Sequence, residues 1–139
     1  MKASGKRPAA DGEYRLWVFV WIALTCAILG YFVVALTVSP VATADNPAFE
    51  RILMTFSAAY VIASIPAKKW LLVQAEEVDS AVLRRAAVIV PLVLCEFAAL
   101  TGIALRLVIG APHYYVFLLV ALAGMLLNFP KRGDRSRAN

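Results

Sequence analysis

Four long apolar runs, separated by clusters of charged residues, constrain this chain more than any other feature. They cover residues 16–39, 47–67, 86–109 and 112–129. A helix of about 20 apolar residues crosses the ~30 Å hydrocarbon core of a bilayer. With 62% hydrophobic and only 17% charged residues among 139, the chain has more apolar surface than a soluble domain can bury. We therefore predict an all-α integral membrane four-helix bundle, with one span in each run.

Local signals support the ends of these spans. Asn46 and Pro47 are typical of a helix start, since asparagine caps the first turn and proline suits its first position. Gly110, two residues before a proline, is typical of a tight turn between two helices. Trp17 and Trp21, one turn apart at the front of the first run, predict an aromatic anchor at the membrane interface.

The basic residues predict the orientation. If the N-terminus is cytoplasmic, 12 of the 14 lysines and arginines lie on the cytoplasmic side and only Arg51 and Arg106 lie near the other. This bias predicts an N-in/C-in protein of a bacterial plasma (inner) membrane, with basic cytoplasmic segments at residues 1–15 and 131–139. It also predicts attraction to anionic lipid at the cytoplasmic face, and no nucleic-acid partner. The twelve are Lys2, Lys6, Arg7, Arg15, Lys68, Lys69, Arg84, Arg85, Lys131, Arg132, Arg135 and Arg137.

The start of the chain also resembles a secretory signal. A basic front, an apolar run and Ala42-Thr43-Ala44 are the parts of such a signal and of its cleavage site. The apolar run is longer than the ~7–15 residues of a signal peptide, so we expect residues 16–39 to remain as a permanent span. Cleavage would leave three spans.

Residues 68–85, between spans two and three, form the one sizeable loop of the prediction. Leu71, Ala75, Val78 and Val82 recur there at helical spacing, against three acidic side chains. Pro66 is expected to bend the chain as it leaves span two, because proline removes a backbone hydrogen bond. The pattern predicts a short amphipathic cytoplasmic helix, separate from the spans.

Glu96 is the residue that most requires an explanation. It lies ten residues after Ala86 and 13 before Ile109, close to the middle of span three. A charged carboxylate at that depth costs at least ~2.5–3.5 kcal/mol, so we expect Glu96 to be protonated at neutral pH. Two roles remain open: a hydrogen bond that holds helices together, or a proton or cation site. Pro91 is expected to kink the same span just before the acid.

Four residues near Glu96 complete the predicted proton or ion site. Gly102 and the alanine four positions before it form a small-xxx-small pair, and Ala99 lies one turn beyond the acid, so a neighbouring helix can approach there. Thr101 supplies a hydroxyl on the same segment. Arg106 falls within an arc of about 80° of the acid, but ten residues rise ~15 Å, which is too far for a direct ion pair. We expect Arg106 to extend to the outer interface instead.

Residues 96–103, EFAALTGI, resemble the ion-carrying helix of ATP synthase subunit c, in which a membrane acid is followed by alanine, an aliphatic residue and glycine. In that family the acid helix also crosses outward from a cytoplasmic loop. The resemblance implies that Glu96 carries a proton. It covers a small part of the chain, and Arg106 and two additional spans differ from the family. Where the family has a glycine-rich packing helix, span two offers Ser57, Ala58, Ala59, Ala63 and Ser64.

The remaining candidates for chemistry stand alone in the sequence. His113 is the one histidine of the chain, and we expect no carboxylate near it, so we expect a turn residue and not a metal or haem ligand. Cys26 and Cys95 lie inside spans one and three without CxxC spacing. We therefore expect no catalytic residue, no metal and no cofactor.

These features favour a non-enzymatic small inner-membrane protein, either an accessory subunit or a self-associating bundle, with an acid at mid-membrane. The pairs Ala23/Ala27 and Cys26/Gly30 add small-residue faces beyond those that one bundle uses, and they predict a homo-oligomer or a partner membrane subunit. The alternative is a proton- or cation-coupled transporter or channel subunit that uses Glu96. An enzyme would need a second acid, a base, a nucleophile or a metal near that residue.

Overall fold

The computed structural model describes residues 8–40 and 46–130, with side chains from residue 12 onward. The described residues form four helices and no strand, which confirms the all-α prediction. The possible cleavage sequence at 42–44 and the basic tail at 131–139 lie outside them, as do residues 1–7 of the basic N-terminal segment. The helices are α1 (Pro8–Thr37), α2 (Pro47–Glu77), α3 (Ala81–Ile109) and α4 (Tyr114–Leu127).

Side-chain and backbone caps define three of the helix ends. The Asn46 side chain accepts a hydrogen bond from the backbone N–H of Phe49, so α2 starts where the Asn-Pro signal predicts. The Ser80 hydroxyl caps α3 in the same way. Gly110 ends α3 in a left-handed conformation (φ 68°), and its N–H bonds to the carbonyl of Arg106. Glycine adopts this φ without the strain that a Cβ would add.

The prediction of a separate amphipathic helix between spans two and three is wrong. Residues 68–77 are helical, but they continue α2, and residues 81–85 are already the start of α3. A turn at 78–80, with Asp79 at φ 46°, joins the two helices directly. The helix continues through Pro66, so Leu71 and Ala75 belong to a longer α2, whereas Val78 lies in the turn and Val82 in α3.

α3 lies at the centre of the bundle. It packs most extensively against α2, its antiparallel neighbour, and also against α4 and α1. α4 contacts both α2 and α3, whereas α1 contacts mainly α3 and α4. The main core therefore draws side chains from all four helices. Its buried members are Ile28, Val61, Leu92, Cys95, Ala98, Ala99, Leu118, Ala121 and Met125.

Two glycines allow α4 to approach its neighbours closely. A Cβ added at Gly102 would lie 2.5 Å from the Cβ of Phe117, so α3 and α4 touch through the missing side chain. A Cβ added at Gly124 would lie 2.6 Å from the sulfur of Cys95 and 2.8 Å from a methyl of Val61. The close helix contact predicted around Gly102 is therefore confirmed, and its partner is α4.

The lengths of the helices determine which of them can cross a membrane. Of the described helices, α1, α2 and α3 are long and apolar enough to cross one. α4 has 14 residues, which rise ~21 Å, less than the ~30 Å hydrocarbon core. The described residues therefore include three helices that are long and apolar enough to span a membrane. The fourth span, predicted at 112–129, needs the turns on both sides of α4 and remains a prediction.

Candidate functional site

Glu96 lies on the face of α3 that meets α1. The hydroxyl of Tyr31 on α1 donates a hydrogen bond of 2.6 Å to Oε1 of Glu96. The second carboxyl oxygen, Oε2, is buried and has no hydrogen-bond partner among the described residues. One of the two carboxyl oxygens of Glu96 therefore has a hydrogen-bond partner. That partner, Tyr31, lies on another helix, 65 positions away in the sequence.

The other residues of the predicted site lie around α3 rather than in one cluster. Ala99 is buried in the main core, and Gly102 packs against Phe117 of α4. The Thr101 hydroxyl donates to the carbonyl of Phe97, on its own helix, at 2.8 Å. None of these side chains shares a described hydrogen bond with Glu96. The tyrosine that does bond to it was missed by sequence reasoning.

Arg106 joins α3 to two other helices. Its Nε donates to the carbonyl of Ala35 at 3.3 Å, and its guanidinium lies over the ring of Tyr114, 5.4 Å from the ring centre. The Ala35 carbonyl belongs to the last turn of α1, where backbone carbonyls lack partners within the helix. A cation also interacts favourably with the negative end of a helix dipole. Arg106 thus caps α1 across the interface while standing in the last turn of α3.

His113 has a carboxylate beside it, which contradicts the expectation from the sequence. Oε1 of Glu50 accepts a hydrogen bond of 3.1 Å from the backbone N–H of His113 and lies 3.3 Å from the ring Nδ1. The expectation was wrong because it considered neighbours along the chain, and Glu50 lies 63 positions earlier. Glu50 stands in the first turn of α2 and His113 caps α4, so this carboxylate lies at the positive ends of two helix dipoles.

A polar cluster around Asn128 lies at the C-terminal end of α4. The Asn128 amide is buried and donates to the hydroxyl of Ser64 at 2.8 Å and to the carbonyl of Gly124 at 3.0 Å. Ser64 in turn donates to the carbonyl of Val61 on its own helix. The sulfur of Cys95 lies 3.9 Å from the same amide. The cluster links α2, α3 and α4, and its members are separated by 33 or more positions between helices.

The clusters at Glu96, at Glu50 with His113 and at Asn128 supply hydrogen bonds, and the first two also contain groups that can bind a proton. The described residues contain no group of three or more histidine, cysteine or acidic side chains that could hold a metal ion. Glu96 has a hydroxyl beside it and no described base or second acid. Such an arrangement can hold helices together or exchange a proton.

Comparison with family models, with curated proteins and with solved structures gives no match to this chain.

Proposed function

We propose that this chain is a non-enzymatic four-span protein of a bacterial plasma membrane, with both termini in the cytoplasm, in which Glu96 holds α1 onto the other three helices. The observation that carries the proposal is the 2.6 Å hydrogen bond from Tyr31 to Glu96. It joins α1, about half of whose apolar side chains are exposed, to α3 at the centre of the bundle. Polar side chains between membrane helices commonly serve as such links.

The protonated form of Glu96 fits this role better than the ionised form. A carboxylate near the middle of the bilayer costs at least ~2.5–3.5 kcal/mol. A hydrogen bond between membrane helices contributes about 0.6–2 kcal/mol, which is too little to offset that cost. No cationic side chain forms a described ion pair with Glu96. The neutral carboxyl keeps an acceptor oxygen for Tyr31 and avoids the penalty.

The proposed partners are lipid and a further membrane helix. The basic cytoplasmic face attracts anionic lipid. Cys26 and Gly30 are exposed on α1, and a Cβ added at Gly30 would meet no other atom within 4 Å. Small exposed residues of this kind permit close approach by a helix of a second copy or of an accessory partner.

A second function, proton or cation coupling in a transporter or channel subunit, is favoured by one observation. Oε2 of Glu96 is buried without a partner among the described residues, so the carboxyl has a position at which a proton or cation can bind. The resemblance to ATP synthase subunit c gives Glu96 the same role. In that case the bond from Tyr31 orients the carboxyl and α1 borders the site.

Two substitutions separate the proposals. Glu96→Gln keeps the size and hydrogen bonding of the side chain but cannot release a proton, and Tyr31→Phe removes only the hydroxyl. Proteoliposomes with a trapped pH-sensitive dye report proton flux, and denaturant titration in mixed micelles reports stability. If Glu96 acts as a link, wild type and Glu96→Gln give the same proton leak as empty vesicles. Tyr31→Phe then lowers the free energy of unfolding by about 0.6–1 kcal/mol.

Thr101→Val is the matched control for Tyr31→Phe, because it also removes one hydroxyl but one that bonds within its own helix. It should leave both stability and flux unchanged. A proton flux in wild-type vesicles that Glu96→Gln abolishes would reject the purely structural role and support the transporter. An infrared carboxylate band of Glu96 at neutral pH would contradict the protonated form.

A further inference from the structure

The contact between α2 and the turn before α4 carries an inference separate from Glu96. The Glu50 side chain is only 9% exposed, although glutamate is usually solvated, and its Oε1 faces both the backbone N–H and the ring Nδ1 of His113. The ring itself is 56% exposed. A buried carboxylate is thus paired with a histidine that bulk solvent can reach, at the end of the bundle that the proposed topology makes the outer one.

Among the described charged groups near this pair, Glu50 is the one that contacts the imidazole ring of His113. On α2, Arg51 is adjacent in sequence and exposed. On α3, Arg106 bonds to Ala35 of α1 and lies over Tyr114. On α4, the ring of Tyr115 is 6.4 Å from the imidazole, and tyrosine stays neutral near pH 7. Asp45 lies outside the described residues.

We propose that Glu50 and His113 form a pH-sensitive latch that fastens the start of α2 to the start of α4 more firmly as the solvent at that end becomes acidic. Imidazole takes up its second proton between about pH 8 and 5. The protonated ring carries a donor at Nδ1 and a positive charge, both directed at the Glu50 carboxylate. The neutral ring loses the charge, and the latch then keeps only hydrogen bonds from uncharged donors, the backbone N–H and Nδ1 in the tautomer that carries its hydrogen there.

The sign of the effect follows from these two states. A positive ring stabilises the closed latch, so closure strengthens as pH falls through the range in which imidazole titrates. Because the ring is more than half exposed, solvent screens the pair, and we expect the closed-to-open ratio to change by a factor of about 2–5.

Hydrogen exchange of full-length protein in nanodiscs tests the latch, read by mass spectrometry on peptides covering the first turn of α4. His113→Gln is the main variant, since it keeps the backbone N–H and the Glu50 carboxylate but cannot become charged. Comparing variant with wild type at the same pH removes the intrinsic pH dependence of exchange. We expect His113→Gln to exchange about 2–5 times faster than wild type at pH 5.5 and at the same rate at pH 7.5.

Glu50→Gln provides the second arm, because glutamine still accepts the backbone hydrogen bond but carries no charge. It should reproduce the pH-dependent difference of His113→Gln. Glu76→Gln, at an exposed position of the same helix, is the control and should match wild type at both pH values. If His113→Gln keeps the wild-type rate at pH 5.5, the latch is rejected. These variants leave Glu96 untouched, and solvent pH is set at both membrane faces, so the result does not depend on the proposed function or topology.

Discussion

Close packing holds α2, α3 and α4 together, whereas α1 packs less deeply against them and adds a few polar contacts. In the most apolar stretch of α1 only 11% of the residues are buried, against 39% in α3. The buried side chains of α1 are Ile28 and Ala35. By contrast, two glycines bring α4 against the side chains of α2 and α3.

This difference indicates what drives each association in a membrane. Lipid tails are as apolar as leucine, so burying an apolar face of α1 gives little driving force. What remains is van der Waals contact and hydrogen bonding, and α1 uses both, since Ile28 lies in the main core and Trp21 and Phe32 pack against it. Trp21 donates to the carbonyl of Met125, Tyr31 donates to Glu96, and the Ala35 carbonyl accepts from Arg106. The three-helix unit thus combines deep packing with polar contacts, whereas α1, with two buried side chains, depends more on its polar partners.

The largest expected effect tests packing in the three-helix unit. In Gly102→Ala the new Cβ would lie 2.5 Å from the Cβ of Phe117 and 3.1 Å from the carbonyl of Tyr114. Neither atom is the free end of a flexible side chain, so α3 and α4 must move apart. Overpacking of this kind costs about 1–3 kcal/mol, and we expect a loss at the upper end of that range. Denaturant titration in mixed micelles measures it.

Gly30→Ala is the matched control, because it is the same substitution on α1 with no atom within 4 Å of the new Cβ. It should leave the free energy of unfolding unchanged or raise it slightly, since alanine favours the helix. Equal losses from the two substitutions would contradict the comparison. A loss confined to Gly30→Ala would mean that α1 packs more tightly than α4 does.

The helices themselves were predictable from the sequence because each is specified by nearby residues. Long apolar runs give the spans, Asn46 with Pro47 gives the start of α2, and Gly110 gives the end of α3. The length of α2 was not predicted, because Pro66 was expected to bend the chain and a proline within a long helix can also be tolerated. α4 proved shorter than its apolar run, since the turns at its ends are also apolar.

The partners of the polar residues were not predictable, because they depend on how the helices are rotated about their axes. Periodicity assigns a residue to a face but not to the residue opposite it on another helix. Tyr31 and Glu96 are 65 positions apart, and Glu50 and His113 are 63 apart. Glu96 was found because an acid in an apolar run is conspicuous. Asn128 was overlooked because an amide at the end of such a run is also typical of the interface.

A smaller effect is expected at the polar cluster of the three-helix unit. Asn128→Ala removes the bonds to the hydroxyl of Ser64 and to the carbonyl of Gly124, and leaves space where a buried amide stood. We expect a loss of about 1–2 kcal/mol in the free energy of unfolding. A double-mutant cycle with Ser64→Ala isolates the interhelical bond, and its coupling energy should be about 1 kcal/mol. A coupling of zero would show that the cluster does not join α2 to α4.

The smallest effect is expected where α1 meets the end of α4. Trp21→Phe removes the indole N–H that donates to Met125 at 2.8 Å, but it preserves an aromatic ring beside Phe129, with which Trp21 forms an edge-to-face contact. The bond to the Met125 carbonyl is only partly buried, so loss of its donor costs less than loss of a hydrogen bond in the core. The loss should therefore be about 0.5 kcal/mol, less than for either core substitution. Hydrogen exchange should locate it in α1 and leave α2 and α3 protected. Trp70→Phe, at a position 63% exposed, is the control, and an equal effect there would mean that the indole acts through lipid rather than through Met125.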